Sequence, residues 1–153
     1  MTEPDRTDCE IVTVERRPVA IVREMVPFAE IPAAQRRIRP QLSAALRELG
    51  FPAAATLTLW RPPVDGRLDL APGVFVPGVF EPVGEVRPSE LPAGRAARLL
   101  LTGPFDGIPG GWERLFACVA ARGLKPAGVN WEIYGDYQQD QSRQATELFA
   151  LLA

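Results

Sequence analysis

Apolar residues recur along this chain with two distinct periods. From Ile31 to Leu49 they fall at Ile31, Ile38, Leu42, Ala45, Leu46 and Leu49, the spacing of one helical face, and Gly50 stands where a helix would stop. Pro40 lies inside that run, so a kink or a helix beginning near it is expected. A second helix is predicted after Pro109, with Trp112, Leu115, Phe116 and Val119 on its apolar stripe and Gly123 as its stop. Trp112 and Phe116 read as core residues for that reason. Strand-like alternation marks 11–26, interrupted near Pro18, then 54–60, 95–102, 129–137 and 145–153. Asp65-Gly66 supplies hairpin chemistry after 54–60, and the Pro- and Gly-broken stretch 71–94 fits short or edge strands better than a central one.

The pattern occurs twice. "VPFAEIP" at 26–32 returns as "GPFDGIP" at 103–109, with Pro27 and Pro104, Phe28 and Phe105, Ile31 and Ile108, and Pro32 and Pro109 each 77 residues apart. Each copy follows a strand and precedes a helix, a glycine and an aromatic-ended strand, "LTLW" or "WEIY". A unit with one helix and so few strands buries its apolar faces poorly alone. The expected fold is therefore α+β: two tandem pseudo-symmetric strand-helix-strand-strand modules, about 10–84 and 85–153 of a single domain. They would form one concave antiparallel sheet with the helices on its convex face, and a groove between modules is where a ligand is expected.

Laying "LTLW" over "WEIY" sets Thr58 against Glu132 and Trp60 against Tyr134. Alternation puts Glu132 and Tyr134 on one strand face and Trp131 and Ile133 on the other. Trp131 and Ile133 are expected under the helices, leaving Glu132 and Tyr134 in the groove beside Thr58 and Trp60. A carboxylate among aromatic rings either holds a cation or takes up a proton. The first suits a lipophilic cation against Trp60, Tyr134 and Phe105, and the second suits general acid–base work on an electrophile. Glu147, an acid in an otherwise apolar strand, and Phe149 on its face are further candidates, so the ligand-binding set is Glu132, Tyr134, Trp60, Thr58, Phe105, Glu147 and Phe149. If the chain is an enzyme, Glu132 and Tyr134 are the catalytic candidates.

Composition narrows the chemistry. The 153 residues carry 17 basic side chains, all arginine except Lys125, against 19 acidic ones, and no histidine. Without a net basic patch, direct nucleic-acid binding is not expected. Without histidine, Ser-His or Cys-His nucleophiles and the usual zinc and haem ligand sets are excluded, and neither a metal nor a cofactor is expected. No apolar run suits a membrane span, and the acidic N-terminus "MTEPDRTDCE" is unlike a secretory signal, so a cytoplasmic location follows. Cys9 and Cys118, far apart and in no metal or redox spacing, read as reduced thiols.

The combination of "LPAG", "GPFDGIP", the aromatic helix and "WEIY" over about 85–153 resembles the GyrI-like small-molecule-binding domain, which also serves as the effector-binding domain of AraC- and MerR-type regulators; the similarity is weaker over 10–84. The resemblance implies tandem modules and an aromatic pocket around a glutamate that falls on Glu132. Only some ten residues precede the first strand, too few for a helix-turn-helix, so it implies a stand-alone member of the multidrug-binding kind. The family also contains a branch resembling cyclopropanoid cyclohydrolases, cofactor-independent hydrolases that add water to strained rings, and this is the rival expectation. An interaction protein that shields a target such as gyrase is the third.

Overall fold

The computed structural model describes residues 9–153. Its elements are β1 (Glu10–Val14), β2 (Arg17–Ile21), β3 (Glu24–Pro27), α1 (Ile31–Leu49), β4 (Thr56–Val64), β5 (Arg67–Phe75), β6 (Arg87–Leu91), β7 (Gly94–Thr102), α2 (Ile108–Ala121), β8 (Pro126–Tyr134) and β9 (Ala145–Leu152). They form two compact units interleaved in sequence. A central unit runs from Arg16 to Pro92, and a terminal unit combines residues 9–15 with Ala93–Ala153. All pairings within them are antiparallel, and each unit carries one helix, which makes the fold α+β.

In the central unit β5 is the organising strand. β4 pairs along one edge, β2 and β3 share the other, and β6 adds outside β2. The stretch 71–94, expected to hold only short or edge strands, thus begins inside the best-paired strand of its unit. Its apolar residues are buried on both faces, which overrides the cost of Pro72 and Gly73. The β4–β5 turn places Asp65 and Gly66 at φ 53° and 75°, the left-handed pair that matches the twist of a two-residue hairpin. α1 packs Ala34, Ile38, Leu42, Ala45 and Leu46 with Leu68, Leu70 and Val74. It runs unbroken through Pro40. Pro40 lies on the exposed side of α1, as does Arg36, whose carbonyl loses its partner there, so water can take the place of the missing bond. The breaks expected at Pro18 fall instead at Glu15–Arg16 and Val22–Arg23, and Pro18 sits within β2 opposite Glu90.

Arg37 of α1 grips both carboxylate oxygens of Glu24 in β3 at 2.6 Å. That bond lowers the Glu24 pKa against the opposing effect of its slight burial. The contribution to stability is present above the unfolded-state value and lost as pH falls through the folded one. An NMR titration should find Glu24 below the usual carboxylate range, and Arg37→Ala should return it there; the exposed position keeps the stability effect small.

In the terminal unit β7 and β8 flank β9, and β1 pairs outside β7. Gly111 lets α2 settle on the sheet: a Cβ there would collide with Leu101 and meet Leu148 at 3.0 Å. The two cysteines are not reduced thiols. Cys9, just before β1, is disulfide-bonded to Cys118 of α2 across 109 residues, and both are buried. Sequence spacing carries no trace of this pairing because the fold, not the chain, brings edge strand and helix together.

The duplicated phrase performs the same task twice. Pro27 and Pro104 are extended (φ −62°, ψ 152° and φ −61°, ψ 155°), each is followed by a 3-10 turn, Phe28–Glu30 or Phe105–Gly107, and each turn feeds its helix directly. Both helices also end alike. Gly50 and Gly123 are left-handed, with Phe51 N–H bonding Leu46 O and Leu124 N–H bonding Val119 O.

Candidate functional site

Glu132 and Tyr134 share a face of β8, as alternation requires, but it is the face that carries α2. Glu132 lies opposite Leu148 in β9, which packs against Gly111, whereas Trp131 lies opposite Phe149 on the reverse side. The expectation that Trp131 and Ile133 would sit under the helix is therefore inverted. Trp131 stacks on Phe149 instead, with centroids 5.3 Å apart and rings within 9° of parallel. Alternation fixes which residues travel together but not which side a helix covers.

On the α2 side a small constellation forms. The Trp112 indole N–H donates to Glu132 Oε2 at 2.7 Å, and the Tyr134 hydroxyl donates to Oε1 at 2.6 Å. Each carboxylate oxygen thus has its own donor, and short bonds of this kind are strong when one partner is charged. Trp112 is pinned in turn by Phe116, stacked on it with centroids 5.6 Å apart. Phe105, from the turn that launches α2, meets Tyr134 edge to face at 6.0 Å and remains 42% exposed. Glu132 and Tyr134 are half-buried. The result is a carboxyl group held at both oxygens beside aromatic rings, of which Phe105 is the most exposed.

Trp112 fits its reading as a core residue by burial, but that reading missed the donor it supplies. A signal existed. Gln35 occupies the corresponding place in α1, 77 residues earlier, and its amide donates to Thr58 Oγ1 at 3.0 Å, the same helix-to-strand link that Trp112 makes to Glu132. The duplicated bond shows which helix position reaches that strand position.

Thr58, in the central unit, is buried and also receives Arg39, whose guanidinium bonds the carbonyls of Leu57 and Gly73 as well. Trp60 packs beside the α1 core. Glu147 and Phe149 are on the side of the terminal sheet away from α2. Glu147 binds Arg98 Nε at 2.7 Å, and Arg98 also reaches Glu10 at 2.6 Å, a chain of charges linking β9, β7 and β1. Neither Glu147 nor Phe149 is brought to Glu132. Among the described residues no group of three or more Asp, Glu, Cys or His side chains is gathered to hold a metal ion, and no helix is long and apolar enough to cross a membrane.

Residues 7–150 match the family model described as the GyrI-like small molecule binding domain. The crystal structure of the EcmrR C-terminal domain is similar with a TM-score of 0.83 at 18% identity, covering 95% of this chain and 96% of that one. SAV2435 bound to tetraphenylphosphonium gives 0.71 at 12%, over 96% and 94%. A hydrolase from Listeria innocua gives 0.63 at 12%, over 95% and 92%. At these identities the likeness is one of fold. No curated protein matches the sequence.

Proposed function

The chain belongs to the GyrI-like small-molecule-binding family, and on that premise we propose that it binds lipophilic aromatic cations at Glu132, with Tyr134, Phe105 and Trp112 as the surrounding rings. The observation that carries this reading is the double anchoring of the Glu132 carboxylate by Trp112 and Tyr134. A carboxylate held by two donors need not reorganise when a cation arrives, and that preorganisation lowers the cost of binding. Aromatic faces add cation–π attraction, about 0.5–2 kcal/mol each depending on desolvation. Tetraphenylphosphonium in SAV2435 is a ligand of this chemical kind on the same fold.

Hydrolysis, the rival expectation, has only fold-level likeness to a Listeria innocua hydrolase in its favour. The binding reading is tested by titrating tetraphenylphosphonium into wild type and Glu132→Gln. The variant should bind more weakly, and equal affinity would refute the reading.

A further inference from the structure

One buried polar group in the terminal unit is left without a partner. Asn130 is 1% exposed, yet its Oδ1 finds no hydrogen-bond partner among the described residues. The contrast with Gln144, equally buried, is sharp: its oxygen accepts from Gln138 N–H and its nitrogen reaches the carbonyls of Gly135 and Ala145. A buried unpaired acceptor forfeits its hydration with nothing in return, so it calls for a specific explanation.

Its position supplies one. Asn130 pairs with Ala150 as Glu132 pairs with Leu148, two residues apart on β8, so both side chains rise from the α2 face of the strand. Their separation along the strand is one repeat, about 7 Å. A leucine of similar size would fill the place without the penalty.

We propose that Asn130 is a second, neutral acceptor of the Glu132 site, and that it selects cations carrying an N–H or O–H donor about one strand repeat (~7 Å) from the charge. The preferred class is then amino- or hydroxy-substituted aromatic cations over fully capped quaternary ones. This rests on the proposed cation site and refines its specificity.

The test is a matched panel: tetraphenylphosphonium, its 4-aminophenyl analogue and its 4-methoxyphenyl analogue, titrated into wild type, Asn130→Leu and Asn130→Ala. Wild type should prefer the amino compound by about 3- to 10-fold, the effect of one neutral hydrogen bond. Both variants should lose the preference, binding the amino compound no more tightly than tetraphenylphosphonium, and Asn130→Leu should melt no lower than wild type. Equal binding of the three compounds by wild type, or tightest binding of the methoxy compound, would overturn the proposal. So would an Asn130→Leu protein that melts lower and weakens every ligand alike, since Asn130 would then serve the protein's own interior. Failure of the cation reading shows separately, as tetraphenylphosphonium affinity that does not depend on Glu132; the Asn130 proposal falls with it, whereas failure at Asn130 alone leaves that dependence intact.

Discussion

Replacing Cys9 and Cys118 together by serine should lower the free energy of unfolding by several kcal/mol. The cross-link spans 109 residues, and closing a loop of that order removes about 4.7 kcal/mol of denatured-state entropy at 25 °C. That is a ceiling, yet a typical domain has only about 5–15 kcal/mol to lose. The local structure shows where the loss would act. Among the described residues β1 pairs with β7 alone, and it is further tied by the Arg98–Glu10 ion pair and by the bond from the Arg122 guanidinium to the Cys9 carbonyl just before it. Without the disulfide, this edge strand should be the first element to detach. Urea denaturation with and without dithiothreitol would measure the difference, and identical midpoints would show that the thiols are not joined in solution. A cytoplasmic setting keeps thiols reduced, so a chain working there would forgo this contribution.

Glu132→Gln should weaken binding of tetraphenylphosphonium by about 2 kcal/mol, roughly 30-fold. At an effective dielectric near 20, unit charges about 4 Å apart attract by about 4 kcal/mol, and part of that is spent on desolvating the pair. The substitution is conservative for the fold. The glutamine carbonyl can still accept from Trp112, and the Tyr134 hydroxyl can turn to accept from the new amide, so the melting temperature should change little while affinity falls. Triphenylphosphine oxide, a neutral analogue, should bind both proteins alike.

The helices were legible in the sequence almost to the residue, because periodic burial and a glycine stop act locally: Ile31–Leu49 and Ile108–Ala121 each end just before the expected glycine region. The duplicated entry phrase was equally legible, since two prolines and a phenylalanine dictate a turn without help from the rest of the fold. Three things were not. Proline position alone overstated the disruption at Pro40 and at 71–94, where exposure and central pairing decide. The side of the sheet covered by α2 depends on packing at Gly111, which alternation cannot see. The disulfide depends on an N-terminal strand joining the terminal unit, through pairs such as Glu10 with Arg98 that are 88 residues apart. Of the constellation around Glu132, comparison of the two copies singled out Glu132 and Tyr134 and the repeated phrase drew attention to Phe105; Trp112 was passed over because its apolar surface concealed its single donor.

The measurement closest to the central claim is the response of the tryptophan indole N–H resonances to tetraphenylphosphonium. Trp112 donates to Glu132 on the α2 side, and Trp131 is stacked on Phe149 on the reverse side, so the two report on opposite faces of one unit and can be assigned with Trp112→Phe and Trp131→Phe. Ligand at Glu132 should move the Trp112 resonance in a saturable way and leave Trp131 in place. A Trp131 resonance that shifts while Trp112 stays fixed would contradict the account.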